Sequence, residues 1–242
     1  MKKVSIITPT PEIITSVMQN SIVVKAKNNN IVDFEIINLR DYSDKKYKKV
    51  DDNPYGGGAG MVMMAEPLFK AIDDVLKKMD SDNNFKIIYP NPQGKTWDHN
   101  KALSFSSSNE NLIFICGHYK GIDERVVEKY VTDEYSLGDY VISNGELSTL
   151  VIIDSIVRLM PGVLNHISSA QTDSFYNNLL DAPYYTNPRE LDGMKVPDVL
   201  LSGDHKKIKS WKNKNRKSRT MINRPDLWNR YINENKSEIR NE

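Results

Sequence analysis

The sequence predicts an α/β fold: a parallel sheet covered by helices on both faces, followed by a small, mostly α-helical domain. Three observations predict it. Short β-branched runs alternate with helical stretches over the first two-thirds of the chain. Pro161–Gly162 ends that pattern, and the next dozen residues (VLNHISSAQTDS) carry no clear period. The charge then changes sign: residues 1–204 carry 21 Lys and Arg against 28 Asp and Glu, whereas residues 205–242 carry 12 against 4.

Val4–Thr8 (VSIIT) reads as the first strand, and Glu12–Lys27 as a helix with Pro11 near its first turn. Val32–Asn38 (VDFEIIN) is a second strand. Ala65–Met79 places Leu68, Ala71, Ile72, Val75 and Leu76 at helical spacing. Phe85–Tyr89, Leu112–Cys116 and Tyr140–Ile142 read as further strands, and Asp123–Tyr130 and Glu146–Met160 as further helices. The organisation expected is an α/β domain over 1–160, a flexible linker over 161–174 and a helical domain over 175–242, punctuated by Pro183, Pro188 and Pro197.

Composition narrows the function. With 39% hydrophobic and 27% charged residues, and no apolar run of membrane-spanning length, a soluble cytoplasmic protein is expected. The apolar stretch after Met1 is too short for a signal peptide. The single cysteine, Cys116, excludes a disulfide framework, and the four histidines show no metal-ligand spacing. Between His205 and Arg224 lie nine basic residues and no acidic one: Lys206, Lys207, Lys209, Lys212, Lys214, Arg216, Lys217, Arg219 and Arg224. That field suits a polyanion such as a nucleic-acid backbone; a solvated helix face explains it equally well on charge alone.

Glycine placement points to a ligand. Nine of twelve glycines fall between Gly56 and Gly145, in YGGGAG, NPQG, GHYKG and GDYVISNG. Glycine lets a ligand approach backbone closely, and open α/β sheets bind ligands beyond the carboxyl ends of their strands. No GxGxxG follows a strand and no GxxxxGK[ST] occurs, so neither a dinucleotide fingerprint nor a P-loop is supported. The residues alone reach a nucleotide-like ligand in an α/β domain, with a basic helical domain attached.

The segments YGGGAGMVMMAEPL, NPQGK, LIFICGHYKGIDERV, EYSLGDYVISNGEL, DSIVRLMPGVL, TDSFYNNLLDAPYYT and NPRELDGMKVPDVLLSGDHKKIKSW follow in that order. Together they resemble the bacterial tRNA (guanine-N1)-methyltransferase family of the knotted SPOUT class, from about residue 5 to about residue 228. The resemblance implies a deep trefoil knot, a homodimer with shared active sites, and transfer of a methyl group to N1 of the guanosine at tRNA position 37. It implies S-adenosylmethionine as donor, held by Tyr89, Pro90, Asn91, Pro92, Gln93 and Gly94, by Gly117, Tyr119 and Gly121, and by Leu137, Gly138, Tyr140, Ile142 and Gly145. The basic helix, with Lys206, Lys207, Lys209, Lys212, Lys214, Arg216 and Arg219, would grip tRNA phosphates, and Ser202, Gly203 and His205 lie where its run begins.

N1 of guanine carries a proton at neutral pH, so the reaction needs a base at N1, positive charge at O6 and an in-line methyl group. Asp173 in QTDSF matches the family's catalytic aspartate. A solvated aspartate is a weak base, and closure of the linker over it would strengthen it by desolvation. Read without the family, Asp173 is a helix N-cap before Ser174–Leu180. Arg158 is the candidate for O6; read without the family, it pairs with Asp154 four residues earlier.

The chain departs from the family pattern at several places. His118 and Lys120 stand where CGRYEGIDERV has arginine and glutamate, and Asn144 and Ser148 where SGGELP has glycine and proline. Tyr184 replaces a histidine and Asn53 an arginine. Lys120 either takes over part of the O6 or phosphate role or weakens activity. Two further hypotheses follow: a knotted methyltransferase for another base, and an RNA-binding protein that has lost turnover.

Overall fold

Runs of Ile, Val and Phe build a five-stranded parallel sheet in the computed structural model, which describes residues 1–19, 22–79, 84–164 and 173–235. Contacts divide the chain into two units, Met1–Asn165 and His166–Glu242. In chain order the first unit holds β1 (Lys2–Thr8), α1 (Pro11–Met18), α2 (Ile22–Asn28), β2 (Val32–Asn38), β3 (Asp51–Asp52), β4 (Val62–Met63) and α3 (Ala65–Lys77). It continues with β5 (Phe85–Thr96), α4 (His99–Ser107), β6 (Asn111–Ile115), α5 (Glu124–Tyr130), β7 (Asp133–Ser136) and α6 (Gly145–Val157).

The sheet order is β2-β1-β6-β5-β7, every pair parallel. Alternate residues of the strands face opposite layers. On one face Val4, Ile6, Ile88, Leu112 and Phe114 pack with Ile14 of α1, Val23 of α2, Phe105 of α4 and Ile152, Ile153 and Ile156 of α6. On the other, Ile7, Ile87, Ile113 and Ile115 pack with Leu68, Ile72 and Val75 of α3 and Val126 of α5. Both faces are covered, which is why all five residues of β6 are buried.

Four sequence expectations change. The helix expected over Glu12–Lys27 is two helices, α1 ending at Met18 with Gln19 as its C-cap; Asn20 and Ser21, residue types that favour turns over helix interiors, lie outside the described residues. Tyr140–Ile142 is not a strand: its β-branched and aromatic run finds no partner, and Val141 is 87% exposed. The edge strand is β7 instead, polar in sequence and held by pairing with β5. β5 runs on past Tyr89 to Thr96, with a register shift between Pro90 and Lys95, both of which pair with Tyr135. Prolines cannot donate to a ladder, and this irregularity accommodates Pro90 and Pro92. α4 has no counterpart among the sequence expectations; Asp98 caps it by accepting from the Lys101 amide at 2.9 Å.

Among the described residues, the α-helices of the second unit begin at Asp198. Before that the unit holds one 3-10 turn (Tyr176–Asn178) and a hairpin of β8 (Glu190–Leu191) and β9 (Met194–Lys195). The hairpin turns at Asp192–Gly193, both at positive φ. Then come α7 (Asp198–Leu201), α8 (His205–Asn223) and α9 (Pro225–Glu234). Asp204 caps α8 by accepting from the Lys206 and Lys207 amides at 3.0 and 3.1 Å. Buried Thr220 of α8 accepts the Leu180 amide at 2.8 Å, and Leu227 of α9 is buried. Most of the expected linker, residues 165–172, lies outside the described residues.

Candidate active site

The carboxyl ends of β6 and β7 and the irregular stretch of β5 open onto a cavity of about 630 Å³. It is lined by Tyr89–Pro92 at the irregularity within β5, Gly117–Gly121 after β6, and Tyr135–Gly138 and Tyr140–Gly145 at and beyond the end of β7, with Gly60 and Met61 from the β3–β4 connection. This is the crevice at strand ends where open α/β sheets take ligands.

Glycines let these segments close on one another. A Cβ on Gly145 would lie 2.5 Å from the Gly117 nitrogen, and the Gly145 amide donates to the Gly117 carbonyl at 2.7 Å. A Cβ on Gly117 would lie 2.8 Å from the Tyr89 ring. Burial pushes the Tyr89 phenol up to about 12, so it stays neutral there.

Beneath the cavity sits a fully buried carboxylate. Glu146, in the first turn of α6, accepts from Thr8 Oγ1, from Thr10 Oγ1 at 2.8 Å, and from His118 Nε2 at 2.7 and 2.9 Å. Burial alone pushes its pKa up, but the His118, Thr8 and Thr10 donors outweigh burial and hold it below the ordinary carboxylate value. A carboxylate only accepts, so Nε2 carries the hydrogen and the His118 tautomer is set. The group fastens three segments together: the end of β1, the loop after β6 and the start of α6.

Most of the predicted donor contacts converge on this cavity. Tyr89, Pro90, Asn91, Pro92, Gly117, Tyr119, Gly121, Leu137, Gly138, Tyr140, Ile142 and Gly145 line it. Gln93 and Gly94 do not: Gln93 is exposed, its amide held by Asn91 Oδ1 at 2.8 Å, and Gly94 packs on the backbone of β7. Sequence reasoning placed Gly60 in a ligand loop but missed Met61, Tyr135, Ser136, Val141, Ser143 and Ser148 as lining residues, and the role of Glu146. A carboxylate entering the apolar run ELSTLVII was the available signal, but an acidic first-turn residue is explained as well by the helix dipole.

Neither Arg158 nor Asp173 is among the residues that line the cavity. Arg158 is half-buried at the C-cap of α6, its amide donating to the Asp154 carbonyl at 3.0 Å. The thirteen residues of α6 put it about 20 Å along the helix from Gly145. Asp173 belongs to the second unit. The helix expected over Ser174–Leu180 is not formed; the Asp173 carbonyl accepts from the Tyr176 amide at 3.4 Å at the start of the 3-10 turn. Tyr184 donates to Asp181 at 2.7 Å, and that bond, burial and the charges of Asp181 and Asp173 push its phenol up to about 12.

On α8, Lys206, Lys209, Lys214 and Lys217 line one groove with Ser210 and Asn213. Lys207, Lys212 and Arg219 are also exposed. Arg216 is half-buried and internally engaged, donating to the Leu180 carbonyl at 3.2 Å and the Tyr176 carbonyl at 3.4 Å.

Residues 1–230 match the family described as tRNA (Guanine-1)-methyltransferase TrmD. The chain belongs to the TrmD family. It is 46% identical over 229 residues to the tRNA (guanine-N(1)-)-methyltransferase of Anoxybacillus flavithermus, covering 95% of this chain and 92% of that one. It is 48% identical over 225 residues to the protein of the same name from Halalkalibacterium halodurans, covering 93% and 90%. A Bacillus cereus relative of that name is 47% identical over 225 residues, covering 93% and 91%. The glycine loops of this TrmD-family chain, scattered over ninety positions of sequence, are thus the ones that meet at the cavity.

Proposed function

We infer that this protein is a tRNA (guanine-N1)-methyltransferase acting on the guanosine at position 37, with S-adenosylmethionine as methyl donor. One observation carries the reading: in a chain of this family, segments of three neighbouring strands and the loops after them line a cavity of glycine backbone, aromatic rings and apolar side chains. Its volume falls in the range of small-molecule sites, roughly 300–1,000 Å³. Its lining offers main-chain groups and aromatic rings to such a donor.

Tyr89–Pro92, Gly117–Gly121 and Leu137–Gly145 hold the donor, which supplies a methyl group on positively charged sulfur. Asp173 takes the N1 proton and Arg158 steadies the charge left on O6. The target base is extruded, because N1 is covered in stacked or paired RNA. Lys206, Lys209 and Lys214, exposed on α8, contact phosphates.

The separation of Arg158 from the cavity within one protomer fits a homodimer in which each site draws on both subunits. Exposed apolar residues support it: Leu147 and Val151, one turn apart on α6, and Val141 in the adjoining loop. A trefoil knot is consistent with the tight Gly117–Gly145 closure. Among the described residues no helix is long and apolar enough to cross a membrane; a cytoplasmic location suits a tRNA-modifying enzyme.

Mass analysis of tRNA transcripts after incubation with the donor tests the reading. We expect 1-methylguanosine in transcripts with G37 and none in transcripts with A37. Donor binding without any 1-methylguanosine favours an RNA-binding protein that has lost turnover.

A further inference from the structure

Lys120 is an unmatched cation at the cavity. It is exposed and lines the cavity, and among the described residues no Asp or Glu lines it and no ion pair holds the Lys120 ammonium. Its position is built rather than free. The Lys120 amide donates to the Met61 carbonyl at 3.0 Å, and the Gly121 amide closes the turn onto the His118 carbonyl at 3.0 Å. The stem then passes over Gly60: a Cβ there would lie 3.0 Å from Lys120 Cγ and 3.2 Å from Cε. Gly60 also holds φ +100, a conformation that side chains rarely adopt. The fold therefore keeps a bare stretch of backbone along which this side chain runs.

Electrostatics says what such a charge is for. A lone ammonium repels a sulfonium donor across a partly enclosed cavity, where water screens less than in bulk. It is favourable only when a reactant brings the matching anion. On the reading above, two reactants do: the donor's amino-acid carboxylate, and a phosphate of the RNA beside the target base.

We propose that Lys120 grips an anionic oxygen carried into the active site by a reactant. This rests on the methyltransferase reading, so wild-type protein is measured first for donor binding, tRNA binding and methyl transfer. Lys120→Gln removes the charge at similar length, Lys120→Arg keeps it, and Gly60→Ala crowds the stem. Calorimetry with S-adenosylmethionine and with methylthioadenosine, which lacks the amino-acid moiety, reads the first source. tRNA binding across a salt series reads the second.

If the carboxylate is the partner, Lys120→Gln weakens S-adenosylmethionine roughly tenfold, the scale of one charge-assisted hydrogen bond, and leaves methylthioadenosine unchanged. If a phosphate is the partner, donor binding holds while the logarithmic salt slope of tRNA binding falls by about one. In either case Lys120→Arg retains most of the affinity and Gly60→Ala moves the same quantity as Lys120→Gln. Wild-type protein that binds and methylates, with Lys120→Gln matching it in both assays, overturns the proposal alone. Wild-type protein that binds neither reactant overturns the functional reading, and the proposal with it.

Discussion

His118 Nε2 lies 2.7 Å from Glu146 Oε2 and 2.9 Å from Oε1, and the carboxylate that receives it is entirely buried. With Thr8 and Thr10 as further donors, one side chain ties the first strand, the loop after β6 and the start of α6. Removing it therefore disturbs stability and donor binding together. Because the carboxyl titrates below its ordinary 4.5 in the folded protein, its contribution is present above that value and fades as pH falls through the folded one. Glu146→Gln is expected to lower stability by about 2 kcal/mol at neutral pH, the scale of hydrogen bonds to a charged group. The gap to wild type should narrow as pH drops below 4.5, and urea unfolding across that range checks it.

His118 acts through its Nε2–H, which glutamine can imitate and leucine cannot. His118→Gln should keep donor affinity within a few-fold, whereas His118→Leu leaves Glu146 short of a buried donor and weakens binding by roughly tenfold or more. Calorimetry on both variants, with circular dichroism as the folding control, separates the two. Equal affinities in the two variants would exclude this hydrogen bond from the organisation of the cavity.

Gly94 and Gly57 offer a contrast between crowding and strain. A Cβ on Gly94 would sit 2.3 Å from the Tyr135 nitrogen, so backbone must move; Gly57 has open space but φ +79. Gly94→Ala should cost about 3 kcal/mol or prevent folding, and Gly57→Ala about 1 kcal/mol. Thermal unfolding of both variants tests the ranking.

Asp173→Ala and Arg158→Ala should each slow single-turnover methylation by roughly 10²–10⁴-fold without loss of fold. A near-normal rate removes that residue from the chemistry. Mixing the two variants adds a test of the shared-site dimer. If each site combines Asp173 and Arg158 from different subunits, heterodimers regain one intact site, and activity returns when two inactive proteins exchange subunits.

The lysines of α8 make a separable contribution. Lys209→Gln and Lys214→Gln should each weaken tRNA binding and reduce its salt slope by about one, with little change in donor affinity. Arg216→Gln should instead lower stability, because its guanidinium holds the Leu180 and Tyr176 carbonyls. Binding across a salt series together with unfolding of the same variants distinguishes the two roles.

The sequence by itself determined the alternation of strands and helices, the four glycine loops, the basic run and the family. These are local properties: periodicity, backbone permissiveness and charge are carried by neighbours in the chain. Only the tertiary structure decided that Asp133–Ser136 forms the edge strand while Tyr140–Ile142 lines a cavity, because strand pairing depends on a partner distant in sequence. It also decided that Glu146 is a buried anchor rather than a solvated helix start. Burial and hydrogen-bond partners exist only once Thr8, His118 and Glu146, more than a hundred positions apart at the extremes, are folded onto one another.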